Sequence, residues 1–479
     1  MYKHGIYQTE VASDINLPVV MSYGHFVVGT APVHKVSKDK RKINTLTRLS
    51  TYREAVEYFG DTYDLDFSVS QAIKVFFELY AVAPLYIVNI LNPEIHKKTG
   101  NTLSLSLTKG RAVIKNHKII PETVIVKNSA DSQVIVDARL IWTEEGLEIF
   151  ARPSTGDKID VEFEEIDLSK VTKTQAIGGY DMNTMKRSGL ELLEEVFLTY
   201  SELPAFIDIP EFSHDSEVAA VMATKAKNVN GGIFETVALI NAPIEKRYDE
   251  LSKWKDDNNI LDNDQLILYG QLKLGGKQYY QTLHYAALSM SVDMENDGIP
   301  SQSPSNHFYK CDALVWKNSK GEFEEIRLDL NQQANYLNQN GVITAINFKG
   351  WRCWGTETAK NPLATDPKDK FSYTRRMFKY IGNELVISYF NSIDMKFTVK
   401  LAETITKSMN IRLKALIGTQ QLLEARAELS SEDNNLINVI NGDITWIIYL
   451  GIIPGLKSMT FKKKYDVDVL NNFANSLAG

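Results

Sequence analysis

The sequence predicts a multidomain protein of the mixed α/β (α+β) class, and three observations support this prediction. Helix and strand patterns alternate along residues 23–93 and again along residues 179–340, as they do in α/β units. Between these stretches, residues 94–178 change to short strands of alternating polarity separated by turns. Both ends of the chain carry strand-like segments that have no partner nearby in sequence. With 479 residues, the chain is long enough for about three domains.

The composition is that of an ordinary globular protein and excludes several other classes. Hydrophobic residues make up 44% and charged residues 24% of the chain, which argues against wholesale disorder and collagen-like repeats. The 53 Lys and Arg against 60 Asp and Glu give a net charge of -7. This charge disfavours a nucleic-acid binder, because phosphate affinity comes from clustered cations. The two cysteines, Cys311 and Cys353, allow no disulfide framework.

We expect a soluble protein without direct membrane insertion. The first ten residues lack the apolar core of a secretory signal. The apolar stretch at 69–91 is interrupted by Lys74, Glu78 and Pro84. The second apolar stretch, residues 444–453, is too short to cross a bilayer.

The first predicted element is an N-terminal arm, residues 1–22, which lacks core periodicity and includes Pro18. Its short strand-like piece contains Gly5, Ile6, Tyr7, Glu10 and Val11. A discontinuous α/β middle domain follows, formed by residues 23–93 and 179–340. The all-β insertion domain, residues 94–178, interrupts it.

Within the middle domain, continuous apolar runs predict buried strands and spaced apolar residues predict helices. Strands are expected at residues 26–28, 85–88, 205–207 and 233–240, with helices at 52–59 and from about 217 to 225. Just before this second helix, Ser213 or Asp215 is expected to act as the N-cap.

The last α/β unit is predicted at residues 341–457 and is followed by a C-terminal arm, residues 458–479. Apolar residues at helical spacing predict a long helix around 405–416, and Gly442 marks a helix end before a strand at 444–450. In the arm, alternation of apolar and polar residues, broken only by Lys463, predicts a two-faced strand. Its apolar residues are Met459, Phe461, Tyr465, Val467 and Val469.

No catalytic, metal or cofactor site is recognisable. The Gly275-Gly276-Lys277 sequence fails the P-loop pattern, because Gln271 replaces the first glycine and Gln278 the hydroxyl residue. Ser213-His214-Asp215 are adjacent in sequence and cannot face one another as a triad. The histidines show no HExxH or i, i+4 pairing. We therefore expect no enzyme, no cofactor and no metal.

Several segments, taken together and in order, resemble the contractile tail sheath proteins of myophages and R-type phage-tail-like bacteriocins. The closest correspondence is LNQNGVITA at 337–345 followed by GWRCWG at 350–355. The other similar segments are YKHGIY at 2–7, VVGTAP at 27–32, YAVAP at 80–84, VNIL at 88–91, PEFSHD at 210–215, VAAVM at 218–222, GIPSQSPSN at 298–306, TDPKD at 365–369 and RRMF at 375–378.

The resemblance implies a structural protein whose C-terminal sheath core domain is residues 341–457. Sheath subunits form stacked hexameric rings around an inner tube, assemble in a metastable extended state and contract to drive the tube through a cell envelope. The implied partners are further copies of the chain, the inner tube protein, and baseplate and tail terminator proteins. The implied location is a virion or phage-tail-like particle, assembled in the bacterial cytoplasm and released on lysis.

The orphan strands at the two ends fit this family independently, because β-augmentation lets one chain complete a neighbour's sheet. Positive charge is concentrated beside the closest family segment, and we interpret it as a candidate face toward an acidic tube. These cations are Lys360, Lys368, Lys370, Arg375, Arg376 and Lys379. A solvated basic surface is an equally good interpretation of them.

Two other functional classes remain open from the residues alone. An α/β nucleotide hydrolase would share the alternation of helices and strands but lacks a recognisable phosphate loop. A shell or surface-layer protein would share the acidic composition and the exchanged arms.

Overall fold

The computed structural model describes residues 23–153 and 156–478. The strands, in chain order, are β1 (Tyr23–Gly29), β2 (Thr47–Leu49), β3 (Leu85–Asn89), β4 (Lys97–Ser106), β5 (Arg111–Ile114), β6 (Ile125–Asn128), β7 (Asp131–Ile135), β8 (Ala138–Thr143), β9 (Gly146–Ala151), β10 (Lys158–Ile166), β11 (Gly179–Asp181), β12 (Lys186–Ser188), β13 (Leu203–Asp208), β14 (Val237–Asn241), β15 (Gln265–Leu268), β16 (Gln271–Leu274), β17 (Lys277–Tyr280), β18 (Ala313–Lys317), β19 (Phe323–Ile326), β20 (Val342–Asn347), β21 (Trp351–Trp354), β22 (Glu424–Leu429) and β23 (Trp446–Gly451).

The helices pack on these strands or connect them. In chain order they are α1 (Tyr52–Phe59), α2 (Ser68–Ile73), α3 (Lys173–Ile177), α4 (Glu194–Tyr200), α5 (Ser216–Lys227), α6 (Leu251–Asp257), α7 (Gln281–Glu295), α8 (Asn335–Gln339), α9 (Pro367–Lys370), α10 (Ser372–Tyr389), α11 (Val399–Gly418), α12 (Leu436–Asn441) and α13 (Val467–Ala478). Within residues 23–153 and 156–478, no helix is long and apolar enough to cross a membrane.

An eight-stranded sheet organises the main body, in the order β2-β3-β1-β13-β14-β15-β20-β21. Its six inner strands are parallel, and the antiparallel strands β2 and β21 close its two edges. Every residue of β3 and β14 is buried, as expected for parallel strands covered on both faces. The strands predicted at 26–28, 85–88 and 205–207 are confirmed as β1, β3 and β13.

Local sequence signals set several boundaries of the helices. The predicted helix at 52–59 is α1, and the side chain of Thr51 caps it by accepting a hydrogen bond from the Glu54 N–H. Asp215 caps α5 by accepting from the Glu217 N–H, as predicted. The predicted strand at 233–240 begins later, at Val237. Gly275 and Gly276 form the turn between β16 and β17 rather than a phosphate loop.

The strands from Lys97 to Ile166 form a separate β-rich region with its own apolar core. β4, β10, β6 and β7 make a four-stranded sheet, and β5, β9 and β8 make a three-stranded one. Val171 and Ala176, near the end of the predicted insertion, pack into the main core instead. The short strands predicted for this region are present, while the division into domains at 94 and 178 stays a prediction.

The C-terminal part of the chain contributes to the main sheet and also forms a separate packed unit. β20 and β21 belong to the main sheet. The predicted boundary at 341 therefore separates these two strands from the other six strands of the same sheet. The helices α10 and α11 and the hairpin β22–β23 form a further unit with a separate apolar core that includes Met377, Leu413 and Leu416. We call α10, α11 and residues 422–451 the C-terminal unit.

Candidate intersubunit surface

The hairpin β22–β23 lies on α11 and presents its other face to solvent. Ala425 and Ala427 are buried against the C-terminal core, and Ile448 and Leu450 on the partner strand pack there as well. The side chains on the opposite face of β22, such as Glu424, Arg426 and Glu428, are exposed. The hairpin therefore has one apolar and one charged face, which fixes its register on the helix.

The side chain of Asn410, on α11, seals the outer edge of β22. Its Nδ2 donates to the Ala427 carbonyl at 2.7 Å, and its Oδ1 accepts from the Ala427 N–H at 3.0 Å. Both outward backbone groups of Ala427 are thus occupied by an amide that imitates a neighbouring strand. A further strand cannot pair at this position without displacing Asn410. Sequence analysis missed this residue because its role depends on a contact 17 positions away.

The outer edge of β23 is open to another strand. The Ser430 N–H donates to the Thr445 carbonyl at 3.1 Å, and alternation along an antiparallel ladder then directs the backbone groups of Trp446, Ile448 and Leu450 away from β22. Within the described part of the chain, β22 is the only strand paired with β23. An unpaired edge of this kind is a ready template for pairing with a second chain.

The chain leaves this hairpin as a segment without regular secondary structure whose first residues are held by side chains of the main body and of α10. The Gly455 N–H donates to the Tyr373 hydroxyl at 3.1 Å, and the Lys457 ammonium forms an ion pair with Glu357. Residues 453–457 line a cleft of about 620 Å³ beside these contacts. Residues 458–477 are all exposed, so the segment leaves the body after Lys457.

The predicted C-terminal strand is corrected by the structure. Residues 458–466, including Met459, Phe461 and Tyr465, have no regular secondary structure, whereas Val467 and Val469 belong to the helix α13. A strand needs a partner for its backbone groups, but a helix satisfies them within its own segment. The pairing of Met459, Phe461 and Tyr465 with another chain stays a prediction. The predicted N-terminal arm residues Gly5, Ile6, Tyr7, Glu10 and Val11 lie outside the described residues.

The structure contradicts the tube-facing prediction for the cations on α10. Arg376 and Lys379 each have only 4% of their side chains exposed. Arg376 pairs with Asp293, at the end of α7, and Lys379 lies 3.1 Å from Asp264, before β15. Arg375 shares Asp264 at 2.8 Å. These cations join α10 to the main body, because buried charges require opposite charges nearby.

The other three predicted cations stay available to a partner in part. Lys360 and Lys368 are half-exposed and pair with Asp369 at 2.6 Å and 3.4 Å. Lys370 lies 5.5 Å from the centre of the Phe371 ring. Burial raises the pKa of Asp369. The hydrogen bonds that it accepts from Lys360 and Asn263, and the charges of Lys360 and Lys368, lower the pKa by more, to about 2.

The Ser213-His214-Asp215 sequence, considered above as a triad, has structural roles. Ser213 is buried, and its hydroxyl accepts from the Asn241 N–H at 3.0 Å, while Asp215 caps α5. Neither forms a triad with His214. In the described ranges, no group of three or more His, Cys, Asp or Glu side chains is placed to hold a metal ion.

The fold described above is that of contractile sheath proteins. The chain has a TM-score of 0.57 with the sheath of an extracellular contractile injection system, PVC, in its contracted state, at 12% identity and with 98% of this chain and 99% of that chain covered. The helical sheath of the anti-feeding prophage in its contracted state also gives 0.57, at 11% identity, covering 96% of this chain and 99% of that chain.

The sequence itself is similar to one curated sheath protein. The chain is 23% identical over 144 residues to the tail sheath protein of Escherichia phage P2, and this stretch covers 30% of the chain and 35% of the phage protein. The chain thus spans about a third of the length of the curated relative it matches. No protein-family model matches the sequence. The resemblance seen in the sequence to contractile tail sheath proteins is confirmed by these likenesses.

Proposed function

We propose that this chain is the structural subunit of a contractile tail sheath. Copies assemble as stacked hexameric rings around an inner tube, in a metastable extended state, and contraction drives the tube through a target cell envelope. The observation that carries this proposal is the likeness in fold to contractile sheaths along 96–98% of the chain. The role is structural rather than enzymatic.

The partners in this proposal are further copies of the chain, the inner tube protein, the baseplate and a tail terminator. A structure of the anti-feeding prophage baseplate, with a TM-score of 0.58, 11% identity and coverage of 96% of this chain and 98% of that chain, supports the association with a baseplate. The particle is a virion or phage-tail-like device, assembled in the bacterial cytoplasm and released on lysis.

Strand exchange joins the copies at the open edge of β23. Asn410 seals β22, so incoming strands add next to β23 and then next to each other. Residues 458–466 of one neighbour supply one strand, and the strand-like residues Gly5–Val11 of the N-terminal arm of another neighbour supply the next. Each main-chain hydrogen bond contributes about 1 kcal/mol net, and two arms per subunit add avidity.

Charge complementarity favours the hairpin of a second copy as the acceptor of the C-terminal arm. Lys462, Lys463 and Lys464 make the arm basic, whereas residues 424–451 contain five carboxylates and a single arginine. The lysines of a paired arm would lie about two strand spacings, or about 10 Å, from the carboxylates of the hairpin. This distance is comparable with the Debye length at 0.1 M salt. Assembly should therefore weaken as salt concentration rises.

Negative-stain electron microscopy of the purified chain tests the proposal. Hollow striated cylinders support a sheath. Flat lattices would instead indicate a shell protein, and discrete particles that turn over nucleotide would indicate a hydrolase. Either of these results would overturn the proposal.

The face toward the tube is reduced to Lys360, Lys368 and Lys370, which are half-exposed. We expect the double variant K368E/K370E to keep its unfolding midpoint but to stop growing on purified tubes. Glu403→Lys, an exposed substitution on α11, serves as a charge-changing control. Normal growth of the double variant removes these residues from the tube interface.

A further inference from the structure

The helix α13 has an apolar stripe that no other described residue of its own chain covers. Val467, Leu470, Phe473 and Leu477 recur at helical spacing and are all exposed, while Asn472 and Asn475 lie on the opposite face. A 12-residue helix is marginal in water without tertiary packing. The stripe therefore requires a surface to pack against.

An apolar surface of suitable character lies at one end of the C-terminal unit. We call it the tip patch, and its exposed residues come from α12 and from the connection between α10 and α11. They are Phe390, Ile393, Met395, Leu436, Ile437 and Ile440. Leu436 and Ile440 are 75% and 73% exposed.

The two segments of the tip patch are held at the same end of the hairpin. Phe397, in the α10–α11 connection, lies edge-on to Trp446 with 6.4 Å between ring centres. Trp446 begins β23 just after α12 and donates from Nε1 to Thr406, near the start of α11. Exposed apolar side chains grouped at one end of a folded unit are typical of an interaction site.

We propose that α13 of one copy packs its apolar stripe onto the tip patch of a neighbouring copy. This inference rests on the proposed function, since it adds a helix contact to the strand exchange between sheath subunits. The occupant of the tip patch is thus a second copy of this chain, and the C-terminal arm is anchored twice, once by its strand and once by its helix.

The length of the arm and the direction of β23 indicate that α13 would contact the tip patch. Residues 458–466 span about 30 Å when extended and the six residues of β23 about 20 Å, so pairing along β23 brings α13 to one end of the hairpin. An arm antiparallel to β23 ends at the tip patch. The opposite end is lined by Thr419, Gln420 and Gln421 and exposes fewer apolar side chains than the tip patch, namely Leu423, Ile453 and Leu456.

The pinned start of the arm directs α13 to another copy rather than to its own. Gly455 is held by Tyr373, at the start of α10, and Lys457 is held by Glu357, in the main body. For the arm to pair with β23 of its own chain, residues 455–457 would have to reverse direction. The contacts of Gly455 and Lys457 oppose this reversal. The arm after Lys457 is consequently presented outward.

Mixed-subunit cross-linking tests the contact in the full-length chain. One tagged copy carries Phe473→Cys and a differently tagged copy carries Ile440→Cys, and the two are mixed before oxidation. Burial raises the pKa of both Cys311 and Cys353 to about 12, which keeps the native thiols unreactive. We expect a disulfide between the two tags, and at least a tenfold lower yield when Asn472→Cys replaces Phe473→Cys.

Assembly measurements separate the helix contact from the strand exchange. We expect L470D/F473D and I437D/I440D each to raise the critical concentration for polymerisation at least tenfold, while the matched control N472D/N475D leaves it unchanged. All six residues are exposed, so unfolding midpoints should stay within error. Removal of residues 467–479 should act like L470D/F473D, whereas removal of 458–479 should abolish polymerisation.

The outcomes are distinguishable. Cross-links confined to one tag, or stripe variants that polymerise like the control, overturn the inference while leaving the sheath proposal intact. Tip-patch variants that lose only tube binding assign the patch to the tube and also overturn it. Absence of cylinders from the unaltered protein overturns the proposed function, and the cross-link in whatever oligomer forms then reports on the helix contact alone.

Discussion

The guanidinium group of Arg376 pairs with the carboxylate of Asp293 across the contact between α10 and the main body. Two nitrogens of Arg376 donate to the two oxygens of Asp293, and the longer of these contacts, from Nη1 to Oδ1, is 3.2 Å. Burial raises the pKa of Asp293, and the charge of Arg376 opposes that effect. We expect Arg376→Glu to lower the free energy of unfolding by about 3–5 kcal/mol, because it leaves like charges facing each other in a buried site. Urea unfolding measures this loss.

Lys368→Glu is the matched control, since its side chain is 43% exposed and exposed pairs contribute about 0–1 kcal/mol. A similar loss in both variants would contradict a buried role for Arg376. The same charge change thus separates the cation that joins two parts of the fold from a cation available to a partner.

A second residue-scale prediction concerns pH. Burial holds the pKa of His34 at about 3, and its Nε2 lies 2.8 Å from the His117 carbonyl oxygen. An unfolded histidine binds a proton below about pH 6.5, whereas folded His34 does not until about pH 3. The unfolded state then holds the extra proton, so the free energy of unfolding falls as pH drops from 6.5 toward 3.

His34 alone adds a slope of about 1.4 kcal/mol per pH unit within that window. We expect His34→Gln to remove this part of the slope while still offering a donor to the His117 carbonyl. Urea unfolding at several pH values between 4 and 7 measures it. Identical slopes in the two proteins would show that His34 titrates normally when folded.

At the scale of elements, we expect Asn410 to decide which edge of the hairpin accepts a strand. We expect Asn410→Ala to lower the free energy of unfolding by about 1–3 kcal/mol, because both backbone groups of Ala427 lose their partner. It also opens a second edge, so irregular association should increase in sedimentation experiments. Lys407→Ala, one turn away and exposed, should do neither. Unchanged association of the Asn410 variant would refute the edge assignment.

The N-terminal arm gives the next prediction at this scale. Removal of residues 1–15 should leave the subunit folded, because these residues lack the apolar content of a core element. It should abolish assembly, because the sheet of the neighbour lacks a strand. Thermal unfolding and electron microscopy provide the two readouts, and regular cylinders in normal yield would disprove strand exchange by this arm.

The sequence predicts an element well when its apolar residues fit either the period of a strand or the period of a helix, but not both. Residues 85–88 are apolar on both faces and belong to a buried strand, and Gly442 ends α12 in a left-handed conformation at φ 85°. The C-terminal arm fits two periods, since Val467 and Val469 alternate while Val467, Leu470, Phe473 and Leu477 recur at helical spacing. The helix prevails because it needs no second chain.

The candidate site was less predictable, and the reason is physical. A cluster of cations in sequence does not show which of them are buried, and Arg376 and Lys379 are buried only because Asp293 and Asp264 lie opposite them in the fold. The seal formed by Asn410 depends likewise on how α11 meets β22. Periodicity therefore locates strands and helices, while the contacts that decide the open edge arise from tertiary packing.

At the scale of the whole molecule, the structure favours movement of subunits as bodies. The buried pairs of Arg375, Arg376 and Lys379 tie α10 to the main body, and β20 and β21 complete the main sheet. The C-terminal arm, in contrast, leaves the body beyond Pro454, and the predicted N-terminal arm contains Pro18. A change of packing between copies is thus easier than a change within one copy.

The last prediction concerns the source of the work. We expect contraction to proceed without ATP, because each subunit need contribute only a small difference in interface free energy that is summed over the whole sheath. The extended form is then held by a kinetic barrier. Mild heat, acid or denaturant should trigger contraction, and removing the stress should not reverse it.

Cryo-electron microscopy of extended and contracted particles, prepared with an enzyme that destroys nucleotides, measures the outcome. Movement should concentrate at residues 12–22 and 452–460, with residues 23–450 superposing closely between the two states. The buried ion pairs of α10 should persist in both. A nucleotide requirement, or extensive refolding within 23–450, would contradict a lattice that stores the work in its interfaces, because the energy would then come from hydrolysis or from the subunit fold.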